Sequence, residues 1–93
     1  MKKFTKKQVL YAHIIEARRH REMYNRLTEK HEDAGRTDRA ELAYRNACDY
    51  SAKESAYIAA VTIVYGEYGC DLERNLKAFA DAYMPENKKE VKS

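Results

Sequence analysis

His13, Glu16 and His20 are the residues whose types and spacing first suggest chemistry, since two imidazoles and a carboxylate within eight residues could hold a metal. On a helix the two histidines lie about 10 Å apart along the axis, at 1.5 Å per residue, so one ion cannot bridge them directly. Carboxylate-rich di-metal bundles use the order Glu-x-x-His and repeat it on a partner helix. Here the order is His13-x-x-Glu16 and no second copy exists. No metal ligand set and no cofactor are therefore expected.

A second candidate is a pair, His20 with Glu54. The two fall opposite one another if the chain folds as a hairpin. They could pass a proton, but a polar layer that fixes the register of two packed helices is the simpler role. Ser51 and Ser55 have no base arranged around them, and no glycine-rich phosphate loop or nucleophile motif occurs. The reading is a protein that is not an enzyme. Cys48 and Cys70 form no metal motif and are expected to be free thiols.

The third cluster is basic. Arg18, Arg19 and Arg21 place three guanidiniums within four residues, able to meet carboxylates or phosphates from adjacent directions. With the off-seam aromatic Tyr44 they form the expected partner-binding site, on an exposed arm.

These residues need helices to position them, and the chain supplies a register as well as helices. Backwards from Thr37 run Ala34, His31, Leu27, Tyr24, His20, Ala17, His13 and Leu10. Forwards run Ala40, Ala43, Ala47, Tyr50, Glu54, Tyr57, Val61 and Val64. Both series step by threes and fours, which keeps each on one stripe of an α-helix. Folding at Gly35–Asp38 opposes Ala17 with Tyr57, His20 with Glu54, Tyr24 with Tyr50, and Leu27 with Ala47.

The first helix is expected over residues 6–34. Thr5 and Gln8 form a capping box, and Phe4 with Val9 a hydrophobic staple. Gly35 ends it. The second is expected over 39–65, capped by Asp38. Its β-branched end, Tyr57 to Tyr65, is read as helix because the seam runs through it unbroken. A shorter helix over 72–83 carries Leu72, Leu76, Phe79 and Tyr83 as one apolar stripe. The fold class is all-α, a long antiparallel helical hairpin completed to a three-helix bundle. Residues 1–85 make one domain, and 86–93 a charged tail too polar to order itself.

The chain has 93 residues, a net charge of +3 and 35% charged residues. No apolar run approaches the roughly 18 residues of a membrane span. No apolar signal region follows the basic N-terminus, so a cytoplasmic protein is expected. The hairpin has more apolar surface than its seam uses. Ala52, Ala56, Ala59 and Ile63 form a second stripe on the back of the second helix. Tyr11, Ile14 and Ile15 fall off the seam of the first. A homodimer through Tyr11, Ile15, Ala52, Ala56, Ala59 and Ile63 is expected to use them.

Function then rests on surfaces. Tyrosine and arginine are enriched at interfaces, and this chain is rich in both. The expectation is a non-catalytic binder of another protein, working as an adaptor, regulator or inhibitor. Accessory proteins of phages and mobile elements, anti-CRISPR inhibitors among them, are one such group. The alternative is nucleic-acid binding through the basic termini and Arg18–Arg21.

Overall fold

The computed structural model describes residues 3–86, so the expected tail, from residue 87 onward, lies outside the described residues. Three α-helices follow in order: α1 (Lys6–Asp33), α2 (Thr37–Tyr65) and α3 (Gly69–Tyr83). No strand occurs among the described residues.

The start of α1 follows from its capping chemistry. Thr5 Oγ1 accepts from the Gln8 amide at 3.1 Å, and Gln8 Oε1 accepts from the Thr5 amide at 2.9 Å. Two amides that the helix leaves without partners are thus satisfied reciprocally. Phe4, expected in the staple, also reaches α3. Its ring sits edge-on to Phe79 at 5.5 Å and to Tyr83 at 5.1 Å, because the end of α3 lies beside the start of α1.

The hairpin turn is a Schellman closure. Gly35 has φ +76° and donates to Glu32 O at 3.0 Å, while Arg36 N donates to His31 O at 2.8 Å. These bonds satisfy the last carbonyls of α1. The closure turns the chain so tightly that α2 begins at Thr37, before the expected cap. Asp38 consequently lies inside the first turn, where its charge favours the helix dipole. At the other end Gly66, φ +71°, stops α2, and Tyr68 in extended conformation starts α3 three residues earlier than expected.

The helices pack as a three-helix base and a two-helix arm. α1 and α2 lie against one another over much of their length, and α3 packs on α1. The base holds the core: Tyr11, Ile14, Ile15, Val61, Leu72, Leu76 and Phe79. The arm buries Ala40, Ala43 and Ala47 on α2, and Tyr24 and Leu27 on α1 are half-buried. One expectation is overturned. Tyr11 and Ile15, assigned above to a dimer surface, are each only 6% exposed. The stripe of α3 needed an apolar partner and found it there, which removes the first-helix stripe from any interface.

Candidate functional site

Glu54 lies buried at the junction of arm and base, and α1 meets it with two arginines. Arg18 Nε donates to Glu54 Oε2 at 2.7 Å, and Arg21 Nη1 donates to Glu54 Oε1. Arg18 then reaches α3, donating to both oxygens of Glu73 at 2.8 and 2.6 Å. That fork holds the guanidinium's pKa above its ordinary value and the Glu73 carboxyl's below its own. One network therefore ties all three helices together.

This geometry corrects two expectations. The polar layer is Arg18–Glu54–Arg21, not His20–Glu54. Residues 18 and 21 are one turn apart on α1, so both guanidiniums converge on one carboxylate, a stronger pairing than a single imidazole offers. His20 stays exposed, with Nδ1 2.8 Å from Glu16 O. The arginine cluster is likewise not a free patch. Arg18 and Arg21 are committed to carboxylates, and Arg19 Nη2 donates to Met84 O at 2.6 Å, closing the end of α3.

The histidines belong to a ring ladder across the α1–α2 seam. His13 stacks on Tyr57 at 4.9 Å, His20 on Tyr50 at 4.8 Å, and Tyr24 on the same Tyr50 at 5.8 Å. The Tyr24–Tyr50 layer is the one foreseen. Tyr57 meets His13, while Ala17, its expected neighbour, is buried beside the same groove of about 200 Å³. Stacked on one another, these rings present no set of converging donors. No group of three histidine, cysteine or acidic residues able to hold a metal occurs among the described residues.

Glu67, in the connection between α2 and α3, was not singled out from sequence. It accepts from Lys7 Nζ at 2.6 Å, from the Tyr11 hydroxyl, and from Asn75 Nδ2 at 3.1 Å. The hydrogen bonds from Lys7 and Tyr11 pull its pKa below the usual carboxylate range. Burial and the bond to Glu67 raise that of Tyr11. Its function is to fasten the base. The only hint in the sequence was an acidic residue isolated between Gly66 and Gly69.

The remaining surface is apolar and lies on α2. Ala52, Ala56 and Ala59 are exposed, and Ile63 is 82% exposed. Val64 and Tyr68 add to that end of the helix, at 66% and 70%. Tyr44 is exposed as expected, beside the Cys48 thiol, which raises its pKa. Cys48 and Cys70 are free and exposed. Among the described residues no helix is long and apolar enough to cross a membrane. No family model, curated protein or solved structure matches the chain.

Proposed function

We propose that this protein is a non-catalytic binder that engages another protein through the outer face of α2 and the connection that follows it, as an adaptor, regulator or inhibitor. One observation carries the reading. Among the described residues, Ile63, Val64 and Tyr68 stay 82%, 66% and 70% exposed at the end of α2 and in the connection that follows it. Arg18, Arg21, Glu54 and Glu67 are meanwhile occupied in holding the helices together. A folded surface that leaves isoleucine, valine and tyrosine together in water is one that a partner covers. The ion pairs of Arg18 and Arg21 weigh against the nucleic-acid alternative, since phosphate would have to displace Glu54 and Glu73.

The test is site-specific photocross-linking in extracts of the native host. A benzophenone side chain replacing Ile63 or Tyr68 is expected to give a discrete protein adduct. The same group replacing Lys77, an exposed residue of α3, is expected to give none. Adducts at residue 77 alone, or at no position, would overturn the proposal. So would a generic duplex DNA that binds and weakens steeply with salt.

A further inference from the structure

We propose that the hairpin turn is a pH-sensitive latch: the neutral imidazole of His31 accepts a hydrogen bond from Arg36 and holds the turn closed, and protonation of His31 releases Arg36 and loosens the tip of the arm.

Arg36 is the residue on which both helices depend at the turn. Its amide donates to His31 O at 2.8 Å, and its carbonyl accepts from the Ala40 amide at 2.9 Å, the bond that opens α2. No side chain caps α2. The side chain of Arg36 turns back instead, and its Nε donates to His31 Nδ1 at 2.9 Å. Residues 31 and 36 are therefore joined twice, once through the main chain and once through the side chains. The second bond carries a chemical condition. Nδ1 accepts only while it holds no proton, because an imidazolium is a donor at both nitrogens.

The three histidines differ in this respect. His20 Nδ1 lies 2.8 Å from the Glu16 carbonyl oxygen, and His13 Nδ1 lies 3.8 Å from the Glu16 carboxylate. Both face an acceptor, so a proton can sit there without breaking a contact. The His31 ring faces a donor.

Charge acts in the same direction. Lys30 on α1, Arg36 in the turn and Arg39 on α2 all bear on the ring, and a protonated His31 would join three cations. The carboxylates nearest in sequence, Glu29, Glu32, Asp33, Asp38 and Glu41, are exposed, and none of them pairs with the imidazole. A helix C-terminus ordinarily favours a protonated histidine. Here the Gly35 and Arg36 amides already occupy carbonyls of the last turn, and Lys30 already supplies a positive charge. Partial burial and the three cations hold the His31 pKa below the ordinary imidazole value. A histidine with a lowered folded pKa lends its full stability above the unfolded value of about 6.5. That stability is lost as pH falls from there towards the folded value. The latch is thus shut at about pH 7.5 and loosens on mild acidification.

The test joins an NMR titration of the imidazole C–H signals to amide exchange at the turn. His31 is expected to titrate below about pH 6.5. In Arg36→Ala its midpoint is expected to rise by about 0.5 pH, roughly a threefold gain in proton affinity. Arg36→Lys keeps the charge without the Nε donor, and should give a smaller rise. Exchange of the Arg36 amide, divided by the unstructured-chain rate at each pH, should be about threefold faster at about pH 5 than at about pH 7.5. His31→Gln offers Arg36 a side-chain oxygen that no proton blocks, so there the ratio should stay constant. Arg36 is exposed and His31 half-buried, and circular dichroism is expected to be unchanged in all three variants. A midpoint unmoved in Arg36→Ala overturns the latch. One unmoved in Arg36→Lys does so too, since charge alone would then act on the ring. An Arg36 amide indifferent to pH in the unaltered chain, or a pH dependence that survives His31→Gln, overturns it independently of the arginine variants.

Discussion

Glu54 shows how one residue decides what its neighbours are free to do. Its side chain is 10% exposed and takes donors from Arg18 and Arg21, which are 26% and 31% exposed. Replacing it with alanine leaves two guanidiniums half-buried with fewer acceptors. Glu54→Ala is expected to destabilise by about 2 kcal/mol in urea unfolding, less than for a fully dry pair because water reaches the arginines. His20→Ala should cost under about 1 kcal/mol, since an exposed stack and one exposed contact with the Glu16 carbonyl are lost. A larger loss from His20 than from Glu54 would restore the histidine layer. Two other carboxyls are expected to make the fold acid-sensitive. Glu67 and Glu73 both have folded pKa values below their unfolded ones. Their contribution is complete above the unfolded carboxylate pKa and is lost as pH falls through the lower folded value. The urea midpoint should therefore drop as pH falls below about 4.5, and Glu67→Gln should flatten that drop.

At the scale of the element, the turn and the seam give sharper tests than the helices themselves. Gly35 sits at φ +76° with open space around it, so an added methyl meets strain and no clash. Gly35→Ala is expected to cost about 1 kcal/mol, the ordinary penalty of a left-handed alanine. Ala47 is only 3% exposed, and Ala47→Glu should cost about 3 kcal/mol by burying a charge without a partner. Equal, small losses in the two variants would contradict the seam. Most of this was legible beforehand. Three-four spacing exposed the seam, and Thr5, Gln8 and Gly35 marked the ends of α1. What could not be read was the choice among neighbours. The seam spacing pointed to His20 as the partner of Glu54, and only reach in three dimensions gives that place to Arg18 and Arg21. The same limit hid the fate of Tyr11 and Ile15. Their exposure depends on where α3 lands, and α3 is tied down by Glu67, whose contacts join residues about sixty apart in the chain.

Over the whole molecule, stability is divided unevenly between base and arm. The base encloses Ile14 and Val61 at 0% exposure and Leu72 at 2%, contributed by three different helices. The arm beyond Glu54 has two helices and buries only alanines. Apolar burial scales with the area removed from water, so each turn of the arm gains far less than a turn of the base. Opening free energies should follow that division, since segments with little buried surface open locally before the whole chain does. Amide hydrogen exchange is expected to be slowest around residues 11–18, 54–61 and 72–79 and faster around 24–47. Leu72→Ala removes a side chain from the centre of the base and should cost about 2–5 kcal/mol of global stability. It should also speed exchange in the base until it matches the arm. The Arg18 bridge from Glu54 to Glu73 joins the three helices of the base, so Arg18→Ala should narrow the gap between arm and base in the same direction as Leu72→Ala, by a smaller amount. Uniform exchange along α1 in the unaltered protein would mean that arm and base open as one unit, and the uneven division would be wrong.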